Sequence, residues 1–215
     1  MSAEPDESDV PINRLERRKH RTRMALVRAA QVLIAEGRLN VPVLEITKAA
    51  DVGMGSFYNH FDSKEQLFDA AVGDVLDSYG ALLDELTAGV DDPAEIFAAS
   101  FRLTGRFFRR RPQESLILLS NWGTLQTSDR GLAPRALRDI KAAIAAGRFD
   151  IDDPERALAV AAGVLGGLGS LLQSDPDRDD GPLADAMATD VLRLFGMSEN
   201  EAREVCGRPL PEVAY

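Results

Sequence analysis

Apolar residues return along this chain at intervals of three and four, the spacing that gathers them on one side of an α-helix. Leu26, Val27, Ala30, Leu33 and Ile34 make the first such stripe, and Gly37 follows where a left-handed residue ends a helix. A short helix fits Val43 to Ala50, with Pro42 near its first turn, and a tight connection at Asp51-Val52-Gly53 leads to a third helix ending near Asn59. Ser63-Lys64-Glu65-Gln66 reads as a capping box that opens a fourth helix carrying Leu67, Ala70, Ala71, Val75, Leu82 and Leu83. After the break at Asp91-Asp92-Pro93, Ile96, Phe97, Phe101, Leu103 and Phe107 mark a fifth, closed by Arg109-Arg110-Arg111 and Pro112. An apolar helix follows from Leu116 to Leu125, then one from Leu132 to Ala146 stopped by Gly147. Asp153-Pro154 opens the helix of Ala157, Ala161, Val164, Leu165, Leu168, Leu171 and Leu172. The polar stretch Asp175 to Asp180 is a loop, and Leu183, Met187, Val191, Leu194 and Phe195 form a last long helix. Ser198 and Glu201 cap a short helical turn at the end. No segment alternates with the period of a strand, and there is no internal repeat. The chain is expected to be all-α, with about nine helices.

Composition narrows this little: 45% hydrophobic and 28% charged residues are ordinary for a globular protein. Residues 1–12, acidic and holding Pro5 and Pro11, read as a flexible tail; their charge is the opposite of a signal peptide's. No uninterrupted apolar run is expected to reach the roughly 20 residues of a membrane span. The lone Cys206 cannot close an internal disulfide and stands in no metal-binding cluster, so the expected setting is reduced and cytoplasmic, without cofactor or metal. No phosphate loop or nucleophile motif suggests an enzyme.

Charge changes the picture more. The net charge is −10, yet between Arg14 and Lys64 ten Lys/Arg face five Asp/Glu, so that segment is at +5 and the remainder at −15. Such asymmetry points to nucleic acid at one end, although a basic run at 14–23 serves equally as a solvated helix start.

The short second and third helices have the dimensions of a helix-turn-helix, in which the second helix lies in the major groove. The run Gly55-Ser56-Phe57-Tyr58-Asn59-His60-Phe61-Asp62-Ser63-Lys64-Glu65-Gln66-Leu67 sharpens the reading. It resembles the recognition helix and following turn of the TetR family of bacterial transcriptional regulators, whose hallmark is Tyr-x-His-Phe followed closely by Ser-Lys-Glu. Ile46, Ala50 and Val52 also stand where that pattern expects them. Three departures are visible. Asp51 replaces the usual turn glycine, although aspartate tolerates left-handed geometry. Gly53 and Pro42 occupy cap positions without a capping side chain.

Tyr58 and His60 can donate to phosphates, Lys64 can neutralise one, and Ser56 offers a short hydroxyl. Phe57 could touch a thymine methyl, and Phe61 reads as core. Thr47 and Lys48 are candidate backbone contacts, with Met54 and Asn59 beside them on the recognition segment. Arg17, Arg18, Lys19 and Arg21 resemble the basic arm of some family members. With Met54, Gly55 and Phe57 there, few side chains offer bidentate bonds to bases, so shape readout is expected to carry much of the specificity.

The resemblance implies a helix-turn-helix domain at 13–66 and a ligand-binding and dimerisation domain at 67–215, acting as a homodimeric repressor. Its partners would be double-stranded operator DNA and a small apolar or aromatic effector, with no membrane. Phe97, Phe101, Phe107, Leu118 and Trp122 could wall a pocket, with Asn121, Ser120 or Gln126 as polar anchors, though such a stripe serves a core as readily. Gly163, Gly166, Gly167 and Gly169 in one helix ask for close approach by another. Val164, Gly167, Leu168, Leu171, Met187, Val191 and Leu194 are the expected dimer face; packing within one subunit is the alternative. Arg109-Arg110-Arg111 reads as a solvated helix end complementing its own dipole. A ligand that fits only a wider separation of the two recognition helices would release DNA, with the fourth helix as the lever through Leu67 and Phe68.

Overall fold

The computed structural model describes residues 14–125 and 130–211; the expected flexible tail and Gln126 lie outside them. Among the described residues there are eleven helical segments and no strand. The chain divides into two compact units, one ending at Ala71 and the other beginning at Val72.

The first unit holds α1 (Arg14–Ala35), α2 (Val43–Ala49), α3 (Met54–Tyr58) and the start of α4 (Lys64–Thr87). α1 buries Leu26, Val27, Ala30, Leu33 and Ile34, and its first two turns stand in solvent. Gly37, at φ +70°, ends it: its N–H donates to Ile34 O and that of Arg38 to Leu33 O. Pro42 and Gly53 begin α2 and α3 without a side-chain cap. Between these helices Asp51 takes the left-handed conformation at φ +53°, and Val52 N–H closes the turn onto Thr47 O at 2.9 Å. The cap before α4 is shifted from the expected box. Gln66 N–H donates to Ser63 Oγ at 3.1 Å, but the Gln66 side chain accepts from Asp62 N–H at 2.7 Å, one residue earlier.

In the second unit, α5 (Pro93–Arg110) is the central helix, packed by the five other long helices of that unit that follow it and buried along most of its length. Asp92 caps it by accepting from Ala94 N–H at 3.0 Å. The single helix expected over Leu116–Leu125 is two: α6 (Pro112–Ser120) and α7 (Trp122–Leu125). Asn121 breaks it, because its side-chain amide donates back to Ile117 O at 2.8 Å and its backbone N–H tightens onto Leu118 O. α8 (Leu132–Ala145) ends at Gly147, and α9 (Pro154–Ser174) is capped by Asp153. α10 (Asp180–Leu194) starts before Leu183 because Asp179 caps it at Gly181 N–H. The expected terminal turn is a nine-residue helix, α11 (Glu199–Gly207), opened by a complete Ser198/Glu201 capping box.

Phe97, Phe149 and Phe195 meet in the core with ring centroids 5.2–5.7 Å apart. The same unit holds an ionic connection that the helical pattern did not reveal. Arg102 Nε and Arg106 Nη1 donate to Asp185 Oδ1 at 2.7 and 2.8 Å, and Arg102 also reaches Arg208 O at 2.9 Å. α5, α10 and the end of α11 are tied together through these groups. Arg109 departs from the solvated role expected of it. It donates to the carbonyls of Asp175 and Arg178, both at 3.0 Å, and so serves the C-terminus of α9 rather than that of its own helix.

Candidate DNA-binding and effector sites

In the first unit the basic and polar residues of the motif sort by exposure. Arg17, Arg18, Lys19, Arg21, Lys48, Met54 and Asn59 stand in solvent, as does Tyr58 at 60% exposure. Ser56, His60 and Lys64 are half-buried. Lys64 Nζ donates to Asn40 Oδ1 at 3.1 Å, which holds the cation at the start of α4. Burial lowers the pKa of His60 below the ordinary histidine value, and the charges of Arg23 and Lys19 lower it further. Its imidazole is therefore neutral near pH 7 and offers one donor.

Two candidates of this set are corrected. Phe57 is 0% exposed; its ring packs against Phe61 at 6.1 Å and edge-on to Tyr58 at 5.2 Å, so it is core and does not reach a thymine methyl. Thr47 is 1% exposed and spends its hydroxyl on Leu44 O at 3.1 Å, a bond within its own helix. Sequence reading also missed Arg23, whose guanidinium lies 4.9 Å from the centre of the Phe61 ring.

The second unit contains a cavity of about 80 Å³ whose lining comes from α4, α5, α7, α8 and α9. Leu83, Phe97, Phe101, Leu132 and Leu165 give it apolar walls, and Thr104 and Ser100 add hydroxyls. One side is ionic. Arg135 Nε donates to Asp84 Oδ2 at 2.7 Å, Arg138 Nη2 to Asp84 Oδ1 at 3.0 Å, and Arg138 Nε to Asp139 Oδ1 at 2.9 Å. Burial opposes ionisation of Asp84, but the hydrogen bonds from Arg135 and Arg138 outweigh it and hold its carboxyl below the usual range. Asp139 is the more deeply buried, and that burial raises its pKa despite Arg138. The cluster thus presents carboxyl oxygens and guanidinium donors at the edge of an apolar space.

Of the expected pocket residues, Phe97, Phe101 and Trp122 line this cavity. Phe107, Leu118 and Asn121 do not. Phe107 stacks on Tyr79 at 4.0 Å, Leu118 is fully buried, and the Asn121 amide is committed to the end of α6. The charged cluster was missed, although Arg135, Arg138 and Asp139 share a helix with Leu132 and Ala136 at spacings that bring them to one side.

A family model described as bacterial regulatory proteins, tetR family, matches residues 25–71. A second, described as tetracyclin repressor-like, C-terminal domain, matches residues 92–208, more than half of the chain. The chain belongs to the TetR family.

This TetR-family transcriptional regulator is similar to RolR along nearly its whole length. The RolR structure without ligand is 36% identical, with a TM-score of 0.69, covering 89% of this chain and 100% of that one. RolR in complex with its ligand resorcinol is 34% identical, with a TM-score of 0.63, covering 91% and 98%. FadR from Bacillus subtilis, solved in complex with stearoyl-CoA, shares the fold: it is 17% identical, with a TM-score of 0.62, covering 81% and 99%. Comparison with curated protein sequences gives no match.

The regulator also leaves much of α9 uncovered. Gly163 and Gly167 have nothing within 4 Å of where a Cβ would stand, Gly167 is exposed, and Leu171 is 40% exposed. Leu194 at the end of α10 is 67% exposed, and Val164 and Met187 are half-buried. Leu168 and Val191, expected on a dimer face, are instead fully buried within the protomer. Gly166 and Gly169 are likewise explained inside one subunit, against Trp122 and Leu119. By length and composition α9 could cross a membrane, although only 28% of its apolar window is buried within the protomer. Its uninterrupted apolar run, Ala157 to Gly169, stops at Ser170, in keeping with the expectation, while the helix stays free of charge from Ala157 to Gln173.

Proposed function

We propose that this TetR-family regulator is a homodimeric repressor whose operator affinity falls when a small hydroxylated aromatic compound occupies the α4/α5/α8/α9 cavity. The observation that carries the reading is the joining of apolar walls to the Asp84–Arg135–Arg138–Asp139 cluster. A phenolic hydroxyl both donates and accepts, so it can serve a carboxylate and a guanidinium together while its ring fills the apolar part. The similarity to RolR, solved with resorcinol, supports the same class.

DNA contact is assigned to 13–66. Tyr58, His60, Ser56 and Lys64 supply phosphate donors, Lys48, Met54 and Asn59 flank them, and Arg17, Arg18, Lys19 and Arg21 form a basic arm. A second copy would cover Val164, Gly167, Leu171, Met187 and Leu194, removing from water the apolar side of α9 that the protomer leaves open. In such a dimer two recognition helices meet successive major grooves about 34–36 Å apart. Residues 67–215 would then carry both effector binding and dimerisation. We take α4, Lys64–Thr87, as the element through which effector binding would reach the DNA-binding residues.

The test is selection of bound fragments from random duplex DNA with the purified protein, then anisotropy on the recovered sequence with and without resorcinol. An inverted repeat released by resorcinol supports the reading. An operator whose affinity is unchanged while resorcinol demonstrably occupies the protein overturns effector release. Deletion of the gene in a strain carrying an operator–reporter fusion should raise reporter expression; a fall would identify an activator instead.

A further inference from the structure

The cavity and a groove on the surface of α9 share one lining residue, Trp122. The groove, about 500 Å³, lies over Leu119, Ser120, Gly163 and Gly166. The cavity is far smaller at about 80 Å³, below the roughly 150 Å³ of an apolar cavity known to admit benzene. A one-ring guest therefore already asks the walls to give slightly. Phe97, Phe101, Thr104 and Ala161 are buried and backed by packed protein, which resists displacement. Trp122 is different: it is half-buried and lines both the cavity and the groove.

Its position is set by specific contacts. The indole Nε1 donates to Ala162 O at 3.0 Å. Gly166 makes that seat possible, because a Cβ there would stand 2.5 Å from Nε1. Phe108 meets the indole edge-on at 6.1 Å. The bulkiest side chain of the cavity is thereby held as a partition between it and the groove.

We infer that Trp122 is the residue that limits effector size: one aromatic ring enters with the indole still seated on Gly166, the extra room being yielded by the half-buried Leu132 and Leu165, and a fused second ring is excluded by the indole itself. The inference rests on the proposal that this cavity is the effector site. Shortening the partition opens the cavity toward the groove and admits the second ring.

The test uses the full-length protein, wild type, Trp122→Phe and Trp122→Ala, with two probe pairs followed by ligand-detected NMR titration. Resorcinol and 1,3-dihydroxynaphthalene form the hydroxylated pair, benzene and naphthalene the plain pair. Wild type is expected to favour the one-ring member of each pair by about tenfold or more. Trp122→Ala should bring that ratio within about threefold, and Trp122→Phe should give an intermediate value, with unchanged helicity by circular dichroism. Absence of size preference in wild type overturns the inference. So does a ratio that stays constant while both members weaken together, since that result assigns Trp122 a purely structural role. Binding of only the plain pair would overturn the hydroxylated-effector reading while still measuring the size limit. Binding of no probe to wild type would overturn both.

Discussion

Arg135 lays its guanidinium across α4 at Gly80 and donates from Nε to Asp84 Oδ2 at 2.7 Å. A Cβ on residue 80 would stand 2.6 Å from Arg135 Nη1, so the absence of a side chain lets the ion pair form against the helix surface. Arg135 Nη1 is further held by Gly131 O at 2.9 Å. The polar edge of the proposed effector site is therefore fixed before any ligand arrives.

Arg135→Ala and Asp84→Asn should each weaken resorcinol binding by about threefold to tenfold, the worth of one charge-assisted hydrogen bond reduced by the partial exposure of the pair. Calorimetric titration measures the loss. Gly80→Ala should weaken binding in the same direction with every polar group still present, because it displaces the guanidinium.

Neighbouring aromatics of α3 should separate cleanly. Phe57→Ala removes a fully buried ring and should lower stability by about 3–5 kcal/mol, seen in denaturant unfolding. Tyr58→Phe should leave unfolding unchanged and weaken operator binding about fivefold through the lost phosphate donor.

His60 should titrate below the ordinary histidine value in the free protein, as followed by NMR of its imidazole protons. Because its folded pKa is lowered, the unfolded chain binds more protons between the two values, and stability falls as the pH drops through that window. Operator phosphates oppose the field of Arg23 and Lys19, so its pKa should rise in the DNA complex.

Asp185 gives the opposite pairing of charges. Burial disfavours its anion, yet the hydrogen bonds from Arg106 and Arg102 prevail and hold its pKa below the usual carboxylate value. Its contribution is present above the unfolded carboxylate pKa and is lost as the pH falls through the folded one. Asp185→Asn should cost about 2 kcal/mol at neutral pH, and the gap to wild type should narrow on acidification. Chemical unfolding across pH 3–7 checks both, taken as roughly the span over which carboxylates titrate.

Leu171→Glu places a charge on the open side of α9 and should shift the protein toward monomer in sedimentation velocity, weakening operator binding in parallel. A monomeric wild type would overturn the dimer assignment.

The helical class, the positions of most helices, the helix starts after Asp92 and Asp153 and the capping box at Ser198 were legible in the chain because they depend on residues within one or two turns of each other. The motif from Gly55 to Leu67 was legible for the same reason. The site was less so. In the five residues of α3 the helical period is too brief to tell an inward Phe57 from an outward Tyr58. The cavity's charges were passed over because isolated Arg and Asp residues read as solvated until another helix is known to lie beside them.

By itself the sequence determined the all-helical fold, the left-handed turn at Asp51 and the breaks at Gly37 and Gly147, consequences of local stereochemistry and spacing, while the run from Gly55 to Leu67 carried the resemblance to the TetR family. Tertiary structure alone decided that Arg102 and Arg106 converge on Asp185, that Asp84 on α4 meets Arg135 and Arg138 on α8, and that Leu168 and Val191 turn inward while Leu171 and Leu194 stay exposed. These pairings join residues some fifty to eighty positions apart. They depend on how whole helices dock, a choice made by the summed burial of many side chains rather than by any short stretch of chain.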